Sequence, residues 1–351
     1  MNAYDIAKPL LFRIDPERAH SLIHGLLDVA ENTPIETAMA RQYVVDDDRL
    51  EVQTLGQDFP NPVGVAAGFD KNARVPGSLA AIGFGFVEVG GVTAVAQSGN
   101  ARPRLFRLPE DRALINRMGL NNEGAEAIGQ RLAHTDVDVP LGVNIAKSEH
   151  VAGEDAPADY RQTYEEVAAG GDFFVVNVSC PNSQGFEELQ NKASMVAILS
   201  ALQEAGAAPL LVKLSPDLPE PAAEDALSVV RELGLDGVVA VNTTTERPAS
   251  LRSDNRIEEG GLSGKPIETD ATEMVRFAAE RVDVPIVGVG GVSSAAGAYR
   301  KIRAGASLVE LYTALVYHGP SLARDINREL LALLERDGFD SIEDAVGADL
   351  D

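Results

Sequence analysis

Residues 172–186 read DFFVVNVSCPNSQGF, an apolar run that ends in a polar cluster. The run is rich in β-branched and aromatic side chains, which predicts a buried strand, and Pro181 ends it. In a parallel barrel, the carboxyl ends of the strands carry the chemistry. The carboxamides of Asn177 and Asn182 can both donate to and accept from a planar ligand. Cys180, the only cysteine in the chain, is either a proton acceptor there or a small buried apolar side chain.

Short apolar runs of the same kind recur along the chain, and amphipathic stretches such as 222–233 and 272–282 separate most of them. Near-continuous apolar strands that alternate with helices indicate a parallel sheet covered on both faces. Eight such units predict an α/β fold of the (β/α)8, or TIM-barrel, type, with a doubly wound open sheet as the alternative. The predicted strands are residues 62–67, 84–90, 141–146, 173–179, 210–214, 237–242, 284–290 and 308–312.

Residues 1–45 form a predicted small N-terminal helical extension, and residues 46–351 form the predicted barrel. Asp15 followed by Pro16 is typical of a helix start. An apolar face then follows at helical spacing, made of Ala19, Leu22, Ile23, Leu26 and Leu27. The extension is predicted to contain two short amphipathic helices, which either pack on the barrel or lie in a membrane interface and frame a hydrophobic tunnel.

The charge balance is strongly acidic, with 54 acidic against 30 basic residues and a net charge of −24. Such a surface repels nucleic acid. Acidic excess with only seven lysines resembles the surface of a halophilic protein from a high-salt cytoplasm. A single cysteine excludes an intrachain disulfide, and we expect no metal site. No apolar run approaches the roughly 20 residues that span a bilayer.

Glycines follow the seventh predicted strand, in VGVGGV at residues 287–292, and the segment GASLVELYT (305–313) supplies the eighth strand, with Tyr312 and Thr313 at its end. In a barrel, glycines after strands seven and eight let backbone N–H groups approach a phosphate, which favours a phosphate-bearing cofactor such as FMN. Lys213 lies within the apolar run LLVKL, where a charge is costly unless it is paired. It forms either a structural salt bridge or a fixed positive charge beside an electron-accepting ring, which favours reduction of a flavin.

These features together resemble the dihydroorotate dehydrogenases from Leu11 to Leu330. The motifs LFRIDPERAH (11–20) and RPRLFRLPED (102–111) are similar to the membrane-associated, quinone-linked class 2 branch of that family. The other motifs that carry the resemblance are AAGFDKN (66–72), INRMGLNN (115–122), GVNIAKS (142–148), VNVSCPNS (176–183), VNTTTERP (241–248), GGLSGKPI (260–267) and GVGGV (288–292).

The resemblance implies oxidation of dihydroorotate to orotate in de novo pyrimidine (UMP) biosynthesis, with FMN reoxidised by a membrane quinone. It also implies a peripheral position on the cytoplasmic side of the cell membrane. Cys180 is then the general base and Lys213 stabilises reduced flavin, while His20 and Arg107 match quinone-site positions. The implied FMN contacts are Ala67, Gly68, Lys71, Asn144, Asn177, Lys213, Gly264, Gly291, Tyr312 and Thr313. The implied substrate contacts are Lys71, Asn116, Met118, Gly119, Leu120, Asn177, Asn182, Asn242 and Thr243.

The chain departs from the class 2 pattern at the base position, where Cys180 stands in place of the usual serine and matches the soluble class 1 branch instead. Gly91 and Val241 stand where the family often has threonine. A soluble acceptor, fumarate or NAD, with the same substrate is therefore the alternative function. A tRNA-reducing flavin barrel disagrees with the net charge of −24, and a non-catalytic flavin-binding scaffold leaves the strand-end amides and Cys180 without a role.

Overall fold

The computed structural model describes residues 3–179 and 188–350, so Cys180 and Asn182 lie outside the described residues. The helices are α1 (Ala3–Leu11), α2 (Pro16–Ala30), α3 (Pro34–Tyr43), α4 (Pro76–Ala81), α5 (Ala125–Leu132), α6 (Ala156–Val167), α7 (Lys192–Glu204), α8 (Glu220–Leu233), α9 (Glu268–Ala279), α10 (Ala295–Arg303), α11 (Thr313–His318) and α12 (Leu322–Asp337). The strands are β1 (Val52–Thr54), β2 (Gln57–Phe59), β3 (Val63–Val65), β4 (Phe86–Val92), β5 (Leu105–Leu108), β6 (Ala113–Asn116), β7 (Leu141–Ala146), β8 (Phe173–Asn177), β9 (Leu210–Leu214), β10 (Gly237–Ala240), β11 (Gly261–Gly264), β12 (Ile286–Val289) and β13 (Leu308–Leu311).

Eight parallel strands close into a barrel in the order β3-β4-β7-β8-β9-β10-β12-β13, and β13 pairs with β3. Each of the eight predicted runs overlaps one of these strands, so the predicted (β/α)8 barrel is confirmed and the open sheet is wrong. The strands carry almost continuous Val, Ile and Leu because both of their faces are covered. Six of them, β3, β7, β8, β9, β10 and β13, consist entirely of buried residues.

Two small antiparallel sheets lie outside the barrel wall. The hairpin β1–β2 brings the buried Phe59 against Phe86 and Phe173, with ring centroids 5.4 Å and 6.3 Å apart, and these two rings belong to the first residues of β4 and β8. The hairpin therefore covers the amino end of the barrel. The second sheet, β5-β6-β11, joins segments about 150 residues apart in the chain and ends beside the candidate site at the opposite end.

The extension contains three helices, whereas the sequence predicted two. The second begins as predicted, because the Asp15 side chain accepts a hydrogen bond of 3.0 Å from the Arg18 amide and Pro16 takes the first helical position. The third starts in the same manner, with Thr33 as the cap and Pro34 after it. Within the described residues, none of the helices combines the length and apolar character that crossing a bilayer requires.

Helix α2 has two adjacent apolar surfaces rather than the single predicted face. Ala19 and Ala30 are buried, and Leu27 packs against the barrel core. Leu22, Leu26 and Val29 are half or more exposed, as are Ile6 and Leu10 of α1. We call these five exposed residues the apolar helix face. One surface of the helix therefore packs on the barrel, as in the first alternative, while the other meets solvent; the membrane interface stays a prediction.

Candidate active site

A cleft of about 1490 Å³, measured up to its open mouth, lies at the carboxyl end of the barrel strands and extends to α2. This volume includes the open solvent at the mouth of the cleft. Most of the predicted site residues line it, namely His20, Ala67, Gly68, Lys71, Asn116, Met118, Gly119, Leu120, Asn144, Asn177, Lys213, Asn242, Thr243, Gly264, Gly291, Tyr312 and Thr313. The predicted residues Cys180 and Asn182 lie outside the described part of the chain.

A chain of carboxamides connects the ends of β7, β8 and β10 in the cleft. The Asn242 amide donates to the Asn177 carboxamide oxygen at 3.2 Å, and the Asn177 amide donates to that of Asn144 at 3.4 Å. The Asn144 amide in turn donates to a carboxylate oxygen of Glu88 at 2.6 Å. These three side chains have few free orientations, because each one fixes the next. They present a rigid polar surface that can bind a flat ring with alternating donors and acceptors.

Lys213 lies at the centre of a buried cluster of charges. Its ammonium is 3.3 Å from Glu88 and 3.9 Å from Glu310, and both carboxyl side chains are fully buried. Burial acts to lower the pKa of Lys213, but the two carboxyls outweigh it and raise that pKa above its usual value. Lys213 therefore stays charged at the wall of the cleft, as the flavin hypothesis requires.

The glycine-rich end of the cleft has the shape of a phosphate seat. Gly290 and Gly291 follow β12 with φ of 104° and 75°, and a Cβ on Gly291 would lie 2.4 Å from the Glu268 Cα. Gly264 has φ of 100°, and a Cβ there would lie 2.5 Å from a backbone oxygen. At both positions a Cβ would collide with atoms of the protein itself, so glycine is required there, and both glycines line the cleft. Thr313, the first residue of α11, faces the same space.

Lys71 supplies a second cation to the cleft. Its ammonium donates to the Gly68 carbonyl at 2.5 Å. Burial lowers the pKa of Lys71 to about 8, with Asp70 and Glu17 opposing that shift. The side chain is thus mainly protonated at neutral pH, and a bound carboxylate would hold it in that state.

The outer part of the cleft meets α2 at His20. Burial, with the charge of Lys71 next in size, lowers the pKa of His20 to about 3, so this imidazole is neutral at neutral pH. His20 packs edge-on against Phe69, with ring centroids 5.2 Å apart. The other residue matched to a quinone site, Arg107, is not in the described lining. It donates to the Ile14 carbonyl at 2.8 Å, with its guanidinium 4.8 Å from the Phe12 ring.

An ion-pair cluster fastens α2 beside the cleft. Glu17 accepts hydrogen bonds from Arg102 at 2.9 Å and from Arg104 at 2.8 Å. Burial acts to raise the pKa of Glu17, but the two guanidinium groups lower it to about 2. A carboxyl whose pKa is depressed on folding contributes stability above its unfolded value of 4.5, and loses it as the pH falls through about 2.

Replacing Glu17 by glutamine should therefore cost about 1–3 kcal/mol at pH 7, and the difference from the parent protein should shrink between pH 4.5 and 2. Urea unfolding followed by circular dichroism at pH 7 and pH 3 measures both values. Glu165→Gln is the matched control, because Glu165 pairs with Arg161 on the exposed surface and should cost less than about 0.5 kcal/mol. An equal cost for the two variants at pH 7 would contradict the assignment.

Sequence reasoning missed the two carboxyls that flank Lys213. Glu88 lies in FVEVGGV and Glu310 in LVEL, each of them a charge inside an apolar strand. This is the same signal that singled out Lys213. Read together, the three interrupted strands would have indicated a buried charge cluster, because side chains that point into a barrel meet one another.

The fold and the cleft define a (β/α)8-barrel enzyme with its chemistry at the carboxyl ends of the strands. The sequence profile of the family described as dihydroorotate dehydrogenase matches residues 49–334. The chain therefore belongs to the dihydroorotate dehydrogenase family, and the predicted membership is confirmed.

The relatives extend over the whole chain. A protein from Haloarcula marismortui named dihydroorotate dehydrogenase (quinone) is 70% identical and covers 100% of both chains. Its namesake from Natronomonas pharaonis is 63% identical, again over 100% of both chains. The crystal structure of the Eimeria tenella enzyme in complex with ferulenol superposes with a TM-score of 0.90 at 35% identity, covering 97% of this chain and 99% of that one. Membership of the family implies a flavin cofactor.

Proposed function

We propose that this protein oxidises dihydroorotate to orotate in de novo pyrimidine biosynthesis, with FMN as its cofactor and a membrane quinone as its electron acceptor. The observation that carries the proposal is one continuous cleft with Lys213 and the amide chain at one end and His20 at the other. Relatives at 70% and 63% identity bear the name dihydroorotate dehydrogenase (quinone). Fumarate or NAD as the electron acceptor is not favoured, because the relatives from Haloarcula marismortui and Natronomonas pharaonis are both named for quinone.

The residues present fit FMN. The backbone of Gly264 and Gly291 leaves room for a phosphate, and Thr313 offers a hydroxyl there. Lys213 is a permanent cation next to the space for a ring, and the ring carbonyls can meet the Asn144 and Asn177 amides. Bound FMN supplies the acceptor for the hydride that leaves carbon 6 of dihydroorotate.

The protein's own groups perform the remaining work. Lys71 attracts the substrate carboxylate, and the amides of Asn177 and Asn242 fix the pyrimidine ring so that one face lies against the cofactor. Cys180 removes the proton from carbon 5 as a thiolate. The proton and hydride together account for the two hydrogens that separate dihydroorotate from orotate. Neutral His20 borders the outer space that we assign to the quinone.

An anaerobic spectral titration in high salt tests the proposal. Dihydroorotate should bleach the flavin absorbance at 1:1 stoichiometry, and a soluble quinone should restore it. Bleaching without recovery by quinone, but with recovery by fumarate or NAD, would replace the acceptor. A flavin-loaded protein that dihydroorotate does not bleach would contradict the proposed substrate.

We assign the extension at residues 1–45 to membrane contact and to the quinone entrance, at the cytoplasmic side of the membrane. The apolar helix face exposes Leu26 and Val29 by 61% and 69%. Both residues lie on α2, the helix that contributes His20 to the cleft. A quinone that leaves the bilayer at this face reaches the cleft without crossing water, which favours a peripheral position with the helices in the interface.

In a flotation experiment in molar KCl, the double variant Leu22→Ser/Leu26→Ser should bind lipid vesicles at least about tenfold more weakly than the parent protein. The reason is that each leucine gains about 1.5–3 kcal/mol on burial. Ile257→Ser is the matched control, since Ile257 is 82% exposed but lies outside the N-terminal extension. Bleaching by dihydroorotate should persist in both variants. Unchanged flotation of the double variant would contradict the assigned membrane face.

A further inference from the structure

The charge cluster around Lys213 contains one ammonium and two carboxyls. Glu88 belongs to β4, Lys213 to β9 and Glu310 to β13, so three separate strands bring them together in the barrel. The Glu88 and Glu310 side chains are both 0% exposed, and that of Lys213 is 6% exposed. If both carboxyls were ionised, the cluster would hold a net charge of −1 with no water around it.

The two carboxyls differ in their partners. One oxygen of Glu88 accepts from the Asn144 amide at 2.6 Å and from Lys213 at 3.3 Å. Neither oxygen of Glu310 has a hydrogen-bond partner among the described residues, and the nearer one is 3.9 Å from the ammonium. A buried carboxylate without hydrogen bonds costs several kcal/mol, and a proton removes that cost.

We propose that Glu310 is a neutral carboxylic acid that donates its proton to Glu88, and that it acts as a positioning residue which keeps Glu88 and Lys213 as a one-to-one ion pair. The free Glu88 oxygen, which also lacks a partner, is available to accept that proton. Burial raises the pKa of Glu310 well above its usual value, and the neighbouring Glu88 carboxylate adds to the shift. Lys213 opposes both effects without reversing them.

The consequence for redox chemistry rests on the proposed FMN site, whereas the protonation itself does not. A negative charge near a flavin disfavours its reduction. With Glu310 neutral, the cluster is balanced, and Lys213 faces the cofactor without a second opposing charge. Glu310 thereby sets how strongly Lys213 favours flavin reduction.

Infrared spectroscopy of the flavin-free protein at pH 8 tests the protonation directly, since the exposed carboxyls are all ionised at that pH. We expect a carboxylic-acid C=O band in the parent protein that shifts on exchange into D2O and is lost in Glu310→Gln. Glu329→Gln, a change at an exposed position of α12, should keep the band. If the Glu310→Gln variant does not fold, the spectrum of the parent protein decides on its own. A parent spectrum without a carboxylic-acid C=O band would overturn the proposal.

The flavin midpoint potential gives the second measurement. Glutamine carries no charge, and neither does a protonated Glu310. Glu310→Gln should therefore change the reduction equilibrium of the flavin by less than tenfold, which corresponds to about 30 mV for a two-electron couple. If Glu310 were ionised, removing its charge would favour reduction by more than tenfold, and that result would overturn the proposal. A protein that binds no flavin but shows the acid band would refute the proposed cofactor and leave the neutral Glu310 standing.

Discussion

Lys213→Met is expected to lower the free energy of unfolding of the flavin-free protein by about 3–5 kcal/mol at pH 8. Methionine fills the volume of the lysine stem but leaves the Glu88 carboxylate without the ammonium that lies 3.3 Å away. A buried charge that has lost its partner retains the full cost of its desolvation. Urea unfolding in high salt measures the change.

Two variants distinguish this ion pair from a general effect of removing a lysine. Lys192→Met removes a lysine that is 41% exposed and paired with Glu232 on the surface, and it should cost less than about 1 kcal/mol. Adding Glu88→Gln to Lys213→Met should restore most of the lost stability, since both charges are then gone. A double variant no more stable than Lys213→Met would show that packing, rather than charge, accounts for the loss.

Sequence alone predicted the barrel because its strands are buried on both faces. A fully buried strand such as β9 must be apolar along its whole length, and this pattern needs no knowledge of its neighbours. The predicted ends were less accurate. Residues 62–67 contain the three-residue strand Val63–Val65, because pairing stops where adjacent strands diverge, and a residue's hydropathy does not report that divergence.

The sheet β5-β6-β11 was not predicted. Its strands have four residues each, and its β6–β11 pairing depends on contacts between segments about 145 residues apart. Local propensity carries no information on such distant pairing. The same limit applies to α2, whose apolar residues were assigned to one face. Only the packed structure shows that Leu27 meets the core while Leu26 faces solvent.

The candidate site was predictable where residue chemistry is unusual for its position. Lys213 stood out because it interrupts an apolar strand, and the glycines of VGVGGV stood out because they follow the seventh barrel strand. Glu88 and Glu310 interrupt their strands equally, yet one charge in one strand does not reveal its partner. Closure of the barrel brings the three together. The charge balance of the cluster is thus a property of the fold, and no single segment contains it.

Cys180→Ala is expected to slow flavin bleaching by dihydroorotate about 10²–10⁴-fold, the usual contribution of a general base. Alanine cannot take the proton from carbon 5, whereas Lys71 and the amides of Asn177 and Asn242 still bind the substrate. Stopped-flow absorbance under anaerobic conditions measures the rate. Reoxidation by quinone of protein reduced chemically beforehand is the internal control, because that step does not use the base, and its rate should stay within about twofold.

Cys180→Ser distinguishes a thiolate base from a merely structural cysteine. A free cysteine has a pKa near 8.5, and a serine hydroxyl ionises only at much higher pH. The parent protein should therefore reach half of its maximal bleaching rate at a pH at least about one unit lower than the serine variant does. If the two pH profiles coincide, a group other than residue 180 accepts the proton from carbon 5. The departure from the class 2 serine would then have no kinetic consequence, and the thiolate assignment would be wrong.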